Sequence, residues 1–102
     1  MLFMISQPMN GISDNEVRLK QDKVTEQLHL LGHEVVDVFV TEDPDTDVKH
    51  PGLYYLGNSL IGMSYCDAVF FCKGWEEARG CQIEHEAAIV YGLQIMYEKE
   101  DK

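Results

Sequence analysis

Glu84 is the acid in this chain best placed to do chemistry. The run Lys73-Gly74-Trp75-Glu76-Glu77-Ala78-Arg79-Gly80-Cys81-Gln82-Ile83-Glu84-His85 predicts a polar loop over 73–80 and then a helix over about 81–91. That boundary puts Glu84 in the first helical turn, where free backbone amides and the helix dipole favour an ionised carboxylate. Facing a cavity shaped for a sugar, such a carboxylate can attack the anomeric carbon and form a covalent glycosyl intermediate. Acids also suit helix starts for stability alone, so the residue by itself leaves both roles open. Gly80 lets the backbone come close to a phosphate or ribose. Lys73 and Arg79 flank the loop and can neutralise a phosphate or pair with Glu76 or Glu77 at the surface. Trp75 offers a stacking face for a base, or an anchor for the loop or a subunit contact.

A second group of candidates is the turn Ser6-Gln7-Pro8-Met9-Asn10-Gly11, which in an open α/β sheet lines the ligand crevice. It has neither the glycine spacing of a dinucleotide fingerprint nor the Gly-Lys-Ser/Thr of a P-loop. Cys81 and His85 stand four apart on one helical face, a spacing zinc can use, but Cys66, Cys72, His29, His33 and His50 are scattered and supply no matching pair. The sequence therefore yields no metal site and no cofactor motif. Three cysteines without a Cys-x-x-Cys pair fit reduced, buried thiols and a cytoplasmic setting.

These residues need a frame, and the punctuation supplies one. Leu2–Ile5 reads as a strand covered on both faces. Ser13-Asp14-Asn15-Glu16 matches a capping box, Val17, Val24, Leu28 and Leu31 follow at helical spacing, and Gly32 sits where a left-handed residue ends a helix. Val35–Val40 reads as a second strand carrying Asp37, and 41–52 as an acidic, proline-bearing loop. Leu53, Leu56, Leu60 and Met63 predict a helix over about 53–64. Ala68–Cys72 is a third strand, Gly92 closes the third helix, and Leu93–Tyr97 is a fourth strand. The order βαβαβαβ predicts one compact Rossmann-like (flavodoxin-like) α/β domain over 1–102, with a four-stranded parallel sheet and helices on both faces. Ligands of such sheets sit beyond the carboxyl ends of the strands, which directs attention to 6–16, 41–52 and 73–80.

Charge narrows the partners. The 102 residues carry 18 acidic and 8 basic side chains, a net charge of −10, which disfavours a nucleic-acid polymer or an anionic membrane surface. The amino-terminal Met1-Leu2-Phe3-Met4-Ile5 has no basic leader and is too short to span a bilayer, so it is expected to belong to the fold. The second helix carries Leu53, Tyr54, Tyr55, Leu56, Leu60, Ile61 and Met63 around more than one face, an excess that predicts a homodimer or higher homo-oligomer.

Three segments taken together resemble the nucleoside 2-deoxyribosyltransferase-like superfamily, and within it a small bacteriophage and bacterial family. They are Phe3–Gly11, Cys66–Phe71 and Lys73–Ala88, the last being the most specific. The resemblance covers nearly the whole chain apart from 41–52. It implies a nucleoside or nucleotide pocket, with Glu84 aligned to the nucleophile of deoxyribosyltransferases and deoxynucleotide N-glycosidases. It also implies a partner acid eight residues before the central-strand Asp67, where this chain has Ser59, next to Asn58. The aromatic hydroxyl that the superfamily often carries in its first loop is missing too. Two readings follow. In one, Glu84 attacks the anomeric carbon while Asn58 or Ser59 orients the sugar. In the other, the same residues hold a nucleotide signal, such as an ADP-ribose derivative, without turnover, as a phage counter-defence protein would.

Overall fold

The computed structural model describes residues 1–36 and 46–99. Strands β1 (Leu2–Ser6), β2 (Glu34–Val35), β3 (Ala68–Phe71) and β4 (Gln94–Tyr97) alternate with helices α1 (Asp14–Leu30), α2 (Pro51–Met63) and α3 (Arg79–Val90). All pairings are parallel and the strand order is β2-β1-β3-β4. The fold is thus the expected compact α/β arrangement of flavodoxin-like type. The chain order reverses between β1 and β3, and the crevice at their carboxyl ends is where such sheets take ligands.

Alternation along the central strands sorts the core into two layers. Phe3 and Ile5 of β1 join Ala68, Phe70 and Cys72 under Val24 and Leu28 of α1. Met4, Val69 and Phe71 face the other way, against Met63 of α2 and Ala88 of α3. Register then fixes the site, because Ser6 is two residues beyond Met4 and pairs with Phe71. Its side chain points into the α2–α3 layer.

The first helix forms much as its sequence predicts. Ser13 Oγ accepts the Glu16 amide at 3.2 Å, and Gly32 takes φ +88° just past the helix end. Val17, Val24 and Leu28 are buried, whereas Leu31 is the C-cap and is exposed, so the apolar stripe is one residue shorter than expected. Ser13→Ala should lower stability by about 1 kcal/mol, the usual cost of losing such a cap, read as a lower urea midpoint with an unchanged slope.

Besides single-residue differences at other strand ends, three boundaries depart further from the sequence reading. The second strand is Glu34–Val35, and of its expected extent residues 37–40, with Asp37, lie outside the described residues, as do 41–45 of the following loop. Helix α2 begins at Pro51, because proline's fixed φ and missing N–H suit a first helical position. Helix α3 begins at Arg79, two residues early, with consequences for Glu84. Among the described residues, no helix is long and apolar enough to cross a membrane.

Candidate functional site

Helix α3 buries Cys81, Glu84 and Ala88, a stripe at helical spacing in which the middle position holds a carboxylate instead of an apolar side chain. Glu84 is 7% exposed. The hydroxyl of Ser6, itself buried, donates to Glu84 Oε1 at 2.6 Å. The Ser59 hydroxyl of α2 also hydrogen-bonds the carboxyl. One acid therefore ties together β1, α2 and α3 at the carboxyl end of the sheet, beside the reversal in strand order.

The electrostatics of Glu84 correct the sequence expectation. Because α3 starts at Arg79 with Ala78 as its N-cap, no acid lies in its first turn, and Glu84 is one turn further along. The dipole and free amides of a helix start act mainly within that first turn, so they do not hold this carboxylate ionised. Burial raises its pKa above the ordinary carboxylate value, and the Ser6 and Ser59 hydrogen bonds offset only part of that. The same shift of boundary puts Arg79 and Gly80 on the exposed first turn of α3. A Cβ at Gly80 would meet nothing within 4 Å, so no protein group crowds the backbone there.

The 73–80 segment folds as a 3-10 turn over Trp75–Glu77. Gly74, before it, takes φ +88° and lies where a Cβ would come 3.3 Å from the Pro8 ring, so glycine is needed both for the left-handed turn and for contact with the first loop. The Trp75 ring stacks on His85 at 4.1 Å and lies 5.7 Å from Tyr97. His85 Nε2 is 2.6 Å from the Tyr97 hydroxyl. Trp75 thus anchors its loop, and His85 is committed to this cluster while Cys81 is buried. Burial pushes the Cys81 thiol up to about 11 and the Cys72 thiol up to about 12, which leaves both as inert packing groups.

Two hollows open at this edge of the sheet. The larger, about 570 Å³, has Phe71, Trp75 and Tyr97 as walls and Lys73, Gly74, Glu76 and Glu98 around them. The smaller, about 260 Å³, lies between the first loop and β3, with Gln7, Pro8, Lys20 and Lys73 in its lining. Glu84 lines neither hollow, which departs from the expectation of a cavity directly against it. Gln7 is mainly structural, its amide donating to the Val17 carbonyl at 3.1 Å. Met9, Asn10 and Gly11 are exposed and Asn58 half-buried; none of the four lines either hollow.

Tyr97 and Glu98, which line the larger hollow, were missed by sequence reasoning, and His85 was weighed there only as a partner of Cys81. Glu98 Oε2 accepts Lys20 Nζ at 2.6 Å and its Oε1 accepts the Lys73 amide at 2.9 Å, bracing α1, the β3 loop and the end of β4. Its burial pushes the pKa up, but the hydrogen bonds and charges of Lys20 and Lys73 outweigh that and hold it below the ordinary value. A lowered pKa gives stability that is present above the unfolded value and lost as pH falls through the folded one. Glu98→Gln should therefore cost up to about 1 kcal/mol at neutral pH, as expected of a partly exposed pair. In acid melts the difference from the parent protein should vanish.

No curated protein and no solved structure matches the chain. The model of one family, a domain of unknown function named DUF4406, matches residues 1–97, and by that match over nearly its whole length the chain belongs to the DUF4406 family.

Proposed function

We propose that the protein binds a nucleoside- or nucleotide-derived small molecule at the carboxyl edge of the sheet, with Glu84 acting on the sugar. The observation that carries this reading is the buried Glu84 carboxyl, held by Ser6 at 2.6 Å beside the point where strand order reverses. A buried acid with a perturbed pKa at such a crevice is more often functional than one on an open surface. The similarity to nucleoside 2-deoxyribosyltransferase-like proteins around Glu84 supports the same assignment. In the catalytic form, a Glu84 oxygen bonds to the anomeric carbon as the N-glycosidic bond breaks. The bonding pair leaves with the base, which takes a proton from water. Attack by water or a second base then frees the carboxylate. The sugar would replace the Ser6 contact as it enters.

Ser59 favours a second reading. Retaining glycoside chemistry uses two carboxyl groups about 5–5.5 Å apart, and the residue aligned with the expected partner acid is a hydroxyl bonded to Glu84. Burial also makes Glu84 harder to ionise than an exposed carboxylate. Both facts suit a binder that sequesters a nucleotide signal of ADP-ribose type, the counter-defence role a cytoplasmic bacteriophage protein would fill. Self-association belongs to either reading, since α2 exposes Leu53, Tyr54 and Ile61 and α3 exposes Ile83, Ile89 and Val90. Light scattering at micromolar concentration should give a dimer or larger, and a monomer would overturn that part.

The deciding experiment incubates the protein with deoxynucleosides, their monophosphates and ADP-ribose derivatives. Free base that disappears with Glu84→Gln establishes the enzyme. Intact ligand recovered in stoichiometric amount after heat denaturation establishes the binder. Absence of any ligand by calorimetry across the panel overturns both.

A further inference from the structure

The larger hollow holds chemistry that the Glu84 assignment does not use. Tyr97 is 48% exposed at the end of β4, yet its ring is not free to swing. Its hydroxyl is held 2.6 Å from His85 Nε2, and the ring lies within 23° of the Trp75 plane. His85 stacks on Trp75 and both are half-buried, so Tyr97 is the most exposed member of a bank of rings. Such a surface takes a flat partner at little entropic cost, because its own rotamer is already fixed.

The polar lining says what kind of flat partner. Glu98 already accepts from Lys20 and Lys73 through its two oxygens. The Glu76 carboxylate has no hydrogen bond or ion pair among the described residues, although its backbone carbonyl accepts the Gln82 side-chain amide. A carboxylate only accepts hydrogen bonds, so Glu76 favours a ligand edge that donates and disfavours one that presents carbonyl oxygen.

We propose that this hollow is the subsite for a planar heterocycle bearing an exocyclic amine, stacked on Tyr97 and donating to Glu76. Adenine- and cytosine-type bases fit that chemistry better than uracil- and thymine-type bases, whose ring N–H is flanked by two carbonyl oxygens that a carboxylate repels. The assignment rests on the binding reading above for the ligand class, but not on turnover or on Glu84.

Calorimetry with adenine, adenosine, cytidine, uridine and thymidine tests it, using the intact protein. Adenosine and cytidine are expected to bind at least about tenfold tighter than uridine and thymidine. Tyr97→Leu should weaken adenosine about tenfold or more, the loss typical of removing one base-stacking side chain. Glu76→Gln should erase the preference for amine-bearing bases, and since Glu76 is exposed that variant should fold normally. Equal affinity for all four nucleosides overturns the proposal, as does adenosine binding unchanged in both variants, and either result leaves the binding reading standing. No binding by any probe also overturns it. If ADP-ribose derivatives still bind under those conditions, the binding reading survives alone; if they too fail, it falls as well. Adenine bound alone, lost in Tyr97→Leu and kept in Glu84→Gln, supports the subsite even where no sugar chemistry occurs.

Discussion

Glu84→Gln is expected to melt several degrees above the parent protein at pH 7. Burial raises the Glu84 pKa in the folded state, so the folded protein holds a proton that the unfolded chain releases more readily. The sign follows from linkage. Below the unfolded pKa the carboxyl is neutral in both states and costs nothing. As pH rises from there through the folded pKa, the folded state must bury a charge and stability is lost. Above the folded pKa the loss is complete and constant. Glutamine has no charge to bury, and its amide keeps an acceptor for the Ser6 hydroxyl that now donates to Oε1. A single stabilising substitution commonly gains about 0.5–2 kcal/mol, and each kilocalorie moves the melting temperature of a domain this size by about 4–8 °C. The gap between variant and parent should widen as pH rises from acid toward neutral and then level off. Melts from pH 3 to 8 check this, and a gap that is constant or narrows would remove the buried-charge account of Glu84.

That result bears on how much of the site was legible in the sequence. The frame was readable because each cue is local. Leu2–Ile5 is an unbroken apolar run, Ser13 caps the helix that follows it, and Gly32 and Gly92 take positive φ just beyond helix ends. Glu84 could be singled out because it follows the 73–80 loop directly, at the edge of the sheet where ligands sit; that it stands in a buried stripe between Cys81 and Ala88 became visible only in the structure. Its environment could not be read correctly, since Gly80 looks like a residue that precedes a helix. In the structure it lies within the first turn, where few intrahelical hydrogen bonds exist for a glycine to weaken. Two residues of error at that boundary turned a dipole-stabilised carboxylate into a desolvated one.

The 73–80 side of the larger hollow was legible, and the rest of it was hidden for another reason. Trp75, His85 and Tyr97 come from a loop, a helix and a strand, and Lys20 meets Glu98 across 78 positions. No periodicity marks such meetings. They arise from parallel strand register, in which Phe71 pairs with Tyr97 and with Ser6, so the layers must be assembled before the neighbours are known. Beside Trp75 and the 73–80 loop, a polar residue just past a strand end, such as Glu98, was a further hint, because carboxyl ends of parallel strands are where ligand-facing groups collect.

Phe71→Ala should be the most damaging truncation among the described core residues. The ring is fully buried on β3, where the strand is paired on both sides. It packs with Met4, Met63, Val69 and Ala88 on the α2–α3 side of the sheet. The same ring lies 5.0 Å from His85 and 5.4 Å from Trp75, so it supports the bank of rings from below. Truncation to alanine removes the transfer free energy of the ring and leaves a cavity that paired strands cannot close, about 3–5 kcal/mol in all. A domain of this size has only about 5–15 kcal/mol to lose, so urea denaturation should show a midpoint shifted far toward water. Phe71→Leu keeps most of the volume and should cost under about half as much. It separates core from site: the domain stays folded, while Trp75 loses its aromatic neighbour below. Its fluorescence should then shift toward that of a solvent-exposed indole, and an unchanged spectrum in a folded Phe71→Leu protein would show that the rings are held without Phe71.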